Sequence, residues 1–134
     1  MDDERLVEIA TDAMECAYAP YSGCKVGAAL LAKNGQVYMG CNIENAAFAP
    51  TNCAERTAVF KAVSEGITAF EAIAIVGGKN GVIDGVFAPC GVCRQVLREF
   101  CDPKTFRIIL GSKDGIQTYT LEELLPLSFS GSDI

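Results

Sequence analysis

The 134-residue sequence contains no histidine, no cluster of lysine or arginine, and no apolar run that approaches the ~18 residues needed to cross a bilayer. Its N-terminus, "MDDER", is acidic where a signal peptide is basic, so we expect a cytoplasmic protein with no membrane partner. The formal net charge of −6 gives a surface potential that repels phosphate backbones. The sequence therefore disfavours a nucleic-acid partner.

The sequence also lacks internal repeats, low-complexity tracts and any linker long enough to separate two domains. A chain of this length falls within the usual size of one domain and buries roughly two-thirds of its unfolded surface. We therefore expect residues 1–134 to form a single domain.

The spacing of the apolar residues predicts strands that alternate with helices. Apolar residues recur at helical spacing from Leu6 to Ala17, and Pro20 is expected to end this first helix. The other predicted elements are a hairpin of the strands "KVGAALLA" and "VYMGCNI", a helix over about 52–65, the strand "EAIAIV", a helix over about 91–101, the strands "FRIIL" and "IQTYT", and a short final helix with a capping box of Thr120 and Glu123.

This order of elements predicts how the strands pair. Crossovers between parallel strands are right-handed, so the strands on either side of each middle helix should run parallel, whereas the first hairpin is antiparallel. The predicted fold class is therefore α/β, with a mixed five-stranded sheet between helices in a three-layer α/β/α arrangement.

Seven cysteines are many for this length, but their number is odd and nothing marks the chain for export, so a disulfide framework is the weaker explanation. Cys53 and the Cys90/Cys93 pair fall at predicted helix starts, where unpaired N–H groups stabilise the thiolates that bind zinc. Three ligands leave one tetrahedral position open, as in catalytic zinc sites. The remaining cysteines are expected to be buried as small hydrophobic side chains: Cys16, Cys24, Cys41 and Cys101.

Glu55 follows Cys53 by two residues in "TNCAER". A water bound to zinc must lose a proton before it attacks, and in a chain without histidine a carboxylate has to take that proton. In the first turn of a helix, the side chains of Cys53 and Glu55 can both project over the opening of the site. The alternative is that Glu55 closes a capping box begun by Asn52, and the spacing alone leaves both interpretations open.

Several stretches together resemble a known family, the small homotetrameric zinc-dependent cytidine deaminases. The motif "CAE" followed by "PCGVC" resembles the zinc signature of nucleobase and nucleoside deaminases, which has a three-cysteine form. The wider matches cover nearly the whole chain: "APYSGCKVGAALL", "GCNIENAAFAPTNCAERTAVFKAVSEG", "APCGVCRQVL" and "TLEELLP".

The resemblance implies one zinc ion per chain, with Glu55 carrying protons from the attacking water to the pyrimidine ring and the leaving ammonia. The implied ligands are Cys53, Cys90 and Cys93. The implied substrate contacts are Asn42 and Glu44 with the ribose hydroxyls, Ala54 and Ala88 with the base through backbone groups, and Phe48 and Phe129 as pocket walls contributed across the subunits of a homotetramer.

Arg56 is expected to offset the charge of the three thiolates. Three thiolates around a divalent ion leave a net negative charge, which weakens the acidity of the bound water. A guanidinium that donates hydrogen bonds to the sulfurs would withdraw part of that charge. The alternative is an exposed helix arginine of little consequence.

Cys24 departs from the family, which usually has an aromatic residue here that packs against the base. Its loss removes on the order of 1 kcal/mol of stacking and widens the pocket, so the preferred base substituent could differ from that of plain cytosine. Alternatively, Cys24 reaches the metal as a fourth ligand and closes the site.

The sequence thus predicts hydrolytic deamination of cytidine and deoxycytidine to the uridine nucleosides, with release of ammonia, as a step of pyrimidine salvage. A deaminase of a modified or antibiotic cytosine nucleoside is the nearest alternative. Two further alternatives are a thioredoxin-like redox protein that uses "CGVC" and a non-catalytic zinc-stabilised domain.

Overall fold

The chain forms one five-stranded sheet flanked by helices, and the computed structural model describes all 134 residues. In chain order the elements are α1 (Asp3–Met14), β1 (Cys24–Ala32), β2 (Val37–Cys41), α2 (Ala54–Ser64), β3 (Phe70–Lys79), α3 (Gly91–Phe100), β4 (Arg107–Ser112), β5 (Gly115–Thr120), α4 (Leu121–Leu124) and a short 3-10 helix (Gly131–Asp133). None of these helices combines the length and the apolar character that crossing a bilayer requires.

The strands lie in the order β2-β1-β3-β4-β5. β1 pairs antiparallel with both β2 and β3, β3 pairs parallel with β4, and β4 pairs antiparallel with β5. Since β2 and β3 are each antiparallel to β1, they run in the same direction on either side of it. The predicted mixed sheet and the parallel direction of the strands around both middle helices are therefore confirmed.

Helices cover both faces of the sheet, which confirms the three layers. Successive residues of β1 point to opposite faces, as the strand period requires. Ala28 and Leu30 belong to a core of 17 buried residues shared with α2, α3 and α4. Ala29 and Leu31 belong to a core of nine buried residues shared with α1. The larger core lies under α2 and α3, the two helices whose starts carry the predicted zinc ligands.

Gly40 in β2 lets α2 approach the sheet very closely. A Cβ atom at this position would lie 2.3 Å from the carbonyl oxygen of Ala54 and 2.6 Å from the backbone nitrogen of Ala58. Real Cβ atoms do not approach backbone atoms so closely, so any side chain here would push the first turns of α2 away from the strand. The position of the α2 start therefore depends on this glycine.

The first helix is shorter than predicted, because α1 ends at Met14 and Ala17 and Pro20 lie beyond it. The chain leaves the helix to pair with the segment that follows β2: the backbone N–H of Tyr18 donates to the carbonyl of Asn42 at 2.9 Å. This tertiary pairing outweighs the helical pattern of the sequence.

The expected burial of the scattered cysteines is wrong for three of the four. Cys101 is buried, but Cys16 is exposed and Cys24 and Cys41 are half-buried. The reason is their place in the fold, since Cys16 follows the end of α1 and the other two stand at the first and last residues of strands.

Candidate active site

Three cysteine side chains meet at the starts of α2 and α3. Cys53 is the N-cap of α2, Cys90 is the N-cap of α3, and Cys93 lies in the first turn of α3. Their sulfur atoms all lie within 4.8 Å of one another, and the Sγ atoms of Cys53 and Cys90 are 3.9 Å apart. The backbone N–H of Cys93 donates to Cys90 Sγ at 3.4 Å, so the start of α3 directs an N–H group at this sulfur.

The two helix starts come together because the strands before them point the same way. After β2, the chain makes a loop and returns, and Asn52 pairs with Ile43 through two backbone hydrogen bonds of 2.9 and 3.0 Å. This pairing places Cys53 next to the end of β2. The segment after β3 leads to Cys90, and α2 and α3 contact each other. The site therefore lies at the carboxyl end of parallel strands, where α/β sheets collect their ligands.

The donor set fits a zinc ion. Two sulfurs bound at 2.3 Å to a tetrahedral zinc are separated by about 3.8 Å, close to the distance between Cys53 and Cys90. Hydrogen bonds from Cys93 and from Arg56 lower the pKa of the Cys53 thiol to about 5. In return, the hydrogen bond with Cys53 and the burial of Cys93 raise the pKa of the Cys93 thiol. The thiolate is the form of cysteine that binds zinc, and the lowered pKa of Cys53 favours that form.

Cys24 does not belong to this group of ligand atoms, which contains only the three thiols of Cys53, Cys90 and Cys93. The arrangement therefore offers three protein ligands rather than four. In zinc proteins, three protein ligands leave a position for water or substrate, whereas structural sites are usually closed by four.

Arg56 lies against the thiol cluster, and its Nη2 donates to Cys53 Sγ at 3.2 Å, the predicted kind of hydrogen bond. The interaction with Cys53 raises the pKa of the guanidinium. The Nε atom of Arg56 is buried and has no hydrogen-bond partner in the protein. Burial of an unpaired N–H is costly, so a compensating attraction must hold the guanidinium here, and the nearby thiolate supplies one.

Glu55 is the second residue of α2, and only 5% of its surface is exposed. Burial raises the pKa of its carboxyl to about 7, and the nearby Cys53 thiolate contributes in the same direction. The capping-box interpretation is wrong, because the N-cap of α2 is Cys53 and the side-chain amide of Asn52 donates instead to Thr57 Oγ1 at 3.2 Å. Glu55 is thus a buried carboxyl beside the thiols.

A cavity of about 260 Å³ opens onto this cluster. The residues singled out in the sequence that line it are Asn42, Glu44, Cys53, Ala54, Glu55, Ala88 and Cys90. Four lining residues were not predicted to belong to the site: Val26, Thr51, Asn52 and Phe87. Phe87 stands directly before "APCGVC", so its nearness to the motif was a usable signal, whereas Val26 reaches the cavity only through the pairing of the sheet.

Asn42 and Glu44 are held in place at the rim of the cavity. The amide of Asn42 accepts from the backbone N–H of Val26 at 2.9 Å and donates to the carbonyl of Cys24 at 2.8 Å. The carboxylate of Glu44 accepts from the backbone N–H groups of Tyr21 and Ser22 at 2.9 and 3.0 Å and from the Ser22 hydroxyl. The hydroxyl in particular lowers the pKa of Glu44, so this side chain is a fixed anion.

Three other predicted substrate contacts lie outside the cavity. Phe48 is 78% exposed and lines an open recess of about 360 Å³ that shares Glu44 with the cavity. Phe129 is 57% exposed in the C-terminal segment, where its carbonyl accepts from Gln95 Nε2 at 2.9 Å. Cys24 lines a third recess, of about 370 Å³, which shares Phe87 with the cavity.

An α/β/α fold that presents three thiols and a buried glutamate at two helix starts defines the class of zinc-dependent deaminases. The family model described as the cytidine and deoxycytidylate deaminase zinc-binding region matches residues 1–109, and the chain belongs to this family. The matched region contains all three thiols of the cluster. The resemblance seen in the sequence and the predicted zinc cofactor are thereby confirmed.

Similar proteins match over nearly the whole chain. A protein named cytidine deaminase from Sporosarcina psychrophila is 48% identical over 134 residues, which is 100% of this chain and 96% of the relative. The structure of cytidine deaminase from Burkholderia pseudomallei is 44% identical with a TM-score of 0.87, and the match covers 96% of this chain and 100% of that one. The corresponding Mycobacterium tuberculosis structure is 39% identical with a TM-score of 0.82, covering 96% and 98%.

Proposed function

We propose that this protein catalyses the hydrolytic deamination of cytidine and deoxycytidine to uridine and deoxyuridine, with release of ammonia. The observation that carries the proposal is a single cavity that holds the buried Glu55 carboxyl, the thiols of Cys53 and Cys90, and the fixed rim residues Asn42 and Glu44. The names of the full-length relatives support the same substrate.

Zinc held by the three thiolates would supply a water molecule with a lowered pKa, which is a nucleophile at neutral pH. The chain's own part in the chemistry is proton transfer by Glu55. Its carboxylate takes one proton from the attacking water and passes it to the ring nitrogen next to the amino-bearing carbon. It then passes the remaining proton of the new hydroxyl to the amino group, so that a C–O bond replaces the C–N bond and ammonia leaves.

The rim of the cavity favours a free nucleoside. Glu44 is an anion held by Ser22 and Tyr21, and a carboxylate accepts hydrogen bonds from ribose hydroxyls but repels a phosphate at the same place. Asn42 opens on the same cavity and retains N–H and lone-pair capacity for the sugar. These contacts support cytidine over a nucleotide or a polynucleotide, and cytoplasmic pyrimidine salvage is the setting that we infer for the reaction.

We infer that the protein assembles as a homotetramer in which neighbouring subunits complete the pocket, and the exposed aromatic residues support contacts between subunits. Phe48 and Phe129 expose most of their surface to solvent in the isolated chain. A second subunit that covered them would bury apolar area and close the open recess beside Glu44. We infer that these two side chains contact the nucleoside or its neighbours only in the assembly.

The test of the function is direct. The protein is purified with zinc and given cytidine, and the ultraviolet absorbance is followed for conversion to uridine. Conversion supports the proposal. Absence of conversion by folded protein that carries one zinc ion per chain would contradict it, and would favour a modified cytosine nucleoside as the substrate.

Replacement of Arg56 is expected to weaken the metal site. Arg56→Gln removes the hydrogen bond to Cys53 Sγ and the positive charge that offsets the thiolates. Loss of a partner that hydrogen-bonds a metal ligand typically costs about 10–100-fold in metal affinity or activity. Zinc affinity measured by competition with a chelator, together with turnover of cytidine, checks this.

The matched control is Arg98→Gln, because Arg98 is also a half-buried helix arginine but donates to Ser128, in a contact that does not involve the thiols. Arg98→Gln should leave zinc affinity unchanged. Equal zinc affinity and turnover in Arg56→Gln and the parent protein would remove Arg56 from the metal site.

A further inference from the structure

Phe87 is the one aromatic residue among the side chains that line the cavity around Glu55. Tyr21 and Phe48 line the open recess beside Glu44 instead. A flat, apolar wall is what a pyrimidine ring needs for packing, while polar groups supply its orientation. Within this chain, only Phe87 supplies such a wall inside the cavity.

The ring of Phe87 lies directly on strand β3 at Gly77. A Cβ atom at Gly77 would lie 2.8 Å from both Cγ and Cδ2 of Phe87, and 3.1 Å from a methyl group of Val26. Cγ is the root of the ring rather than a flexible end, so a side chain at position 77 would displace the whole ring. The absence of a side chain at Gly77 therefore sets where the Phe87 ring stands.

The backbone around Phe87 is fixed on both sides. On one side, the backbone N–H of Lys113 donates to the carbonyl of Asp84 at 3.0 Å. On the other, Arg94 Nε donates to the carbonyl of Pro89 at 2.7 Å, and the same guanidinium donates to the carbonyl of Leu124 at 2.6 Å. The aromatic wall is thus formed before any substrate binds, which avoids the cost of ordering it on binding.

Phe87 also separates the cavity from the recess that Cys24 lines, since it belongs to the walls of both. Cys24 is small and contributes to the recess alone. We propose that Phe87 is the surface against which the cytosine ring packs, and that it takes over the role of the aromatic residue expected at position 24. This inference rests on the proposed function.

The test is the kinetics of Phe87→Leu with cytidine. Packing against a fixed wall stabilises the bound substrate and the transition state alike, so its loss raises KM and leaves kcat unchanged. We expect a rise in KM of about tenfold, the size typical of a lost aromatic contact. Phe60→Leu is the matched control, because Phe60 is a partly exposed phenylalanine of α2 that does not line the cavity. Its KM should equal that of the parent.

Two further variants separate the ring's position from its presence. Gly77→Ala keeps Phe87 but displaces its ring, and it should also raise KM. Cys24→Phe introduced into Phe87→Leu should lower KM again, because the smaller leucine side chain opens the boundary between recess and cavity and lets an aromatic ring at position 24 reach the base. Thermal unfolding and zinc content are recorded for every variant, so that a loss of folding is not mistaken for a loss of packing.

The outcomes are distinct. If the parent converts cytidine, an unchanged KM in folded Phe87→Leu overturns the inference. Where Phe87→Leu does not fold, an unchanged KM in Gly77→Ala overturns it. If adding Cys24→Phe does not lower the KM of Phe87→Leu, the idea that Phe87 takes over the role of an aromatic residue at position 24 is overturned. If the parent itself produces no uridine from cytidine, the proposed function fails and the inference falls with it.

Discussion

Glu55→Gln is expected to keep its zinc and lose nearly all turnover of cytidine. The amide preserves the shape of a side chain that is only 5% exposed, but it can neither take nor release a proton. A single general acid or base typically contributes about 10²–10⁴-fold, and we expect a larger loss because Glu55 serves both proton transfers of the reaction. The steady-state rate of uridine formation, with zinc content measured on the same preparation, checks this.

The control for this variant is Glu65→Gln. Glu65 is the C-cap of α2, so the same helix loses the same charge at its exposed end. Glu65→Gln should leave the turnover of cytidine unchanged. A rate for Glu55→Gln within tenfold of the parent would show that another group moves the protons, and a loss of zinc in Glu55→Gln would show that the carboxyl acts mainly in holding the metal site together.

Much of the site could be predicted because its residues stand at positions that helix chemistry defines. Cys53 and Cys90 are N-caps, and the first turns of α2 and α3 hold Glu55 and Cys93, so local spacing was enough to bring each side chain to a helix start. Strand alternation and crossover handedness then brought the two helix starts together.

The remaining features depend on tertiary contacts rather than on local spacing. The end of α1 is set by the pairing of Tyr18 with the segment after β2, which no local pattern records. Phe87 reaches the cavity because it rests on Gly77, ten residues earlier in another element. Cys24 is placed in the neighbouring recess for the same kind of reason, since Phe87 occupies the boundary between the two spaces.

Cys90→Ser is expected to abolish zinc binding at stoichiometric concentrations, and turnover with it, while α3 stays folded. Cys90 caps α3 by accepting from the backbone N–H of Cys93, and serine is a favoured N-cap that can accept the same bond. The substitution therefore removes the thiolate without removing the cap. Because loss of a partner behind a ligand costs about 10–100-fold in affinity, loss of the ligand itself should exceed about 100-fold.

Two measurements decide the result. They are the zinc content per chain after gel filtration and the midpoint of thermal unfolding with and without added zinc. A ligand that binds only the folded protein raises its stability, so zinc should raise the midpoint of the parent and leave that of Cys90→Ser unchanged. Cys16→Ser is the control, because Cys16 is exposed and outside the cluster, and it should behave as the parent does. Full zinc occupancy in Cys90→Ser would mean that two thiols and an outside ligand suffice.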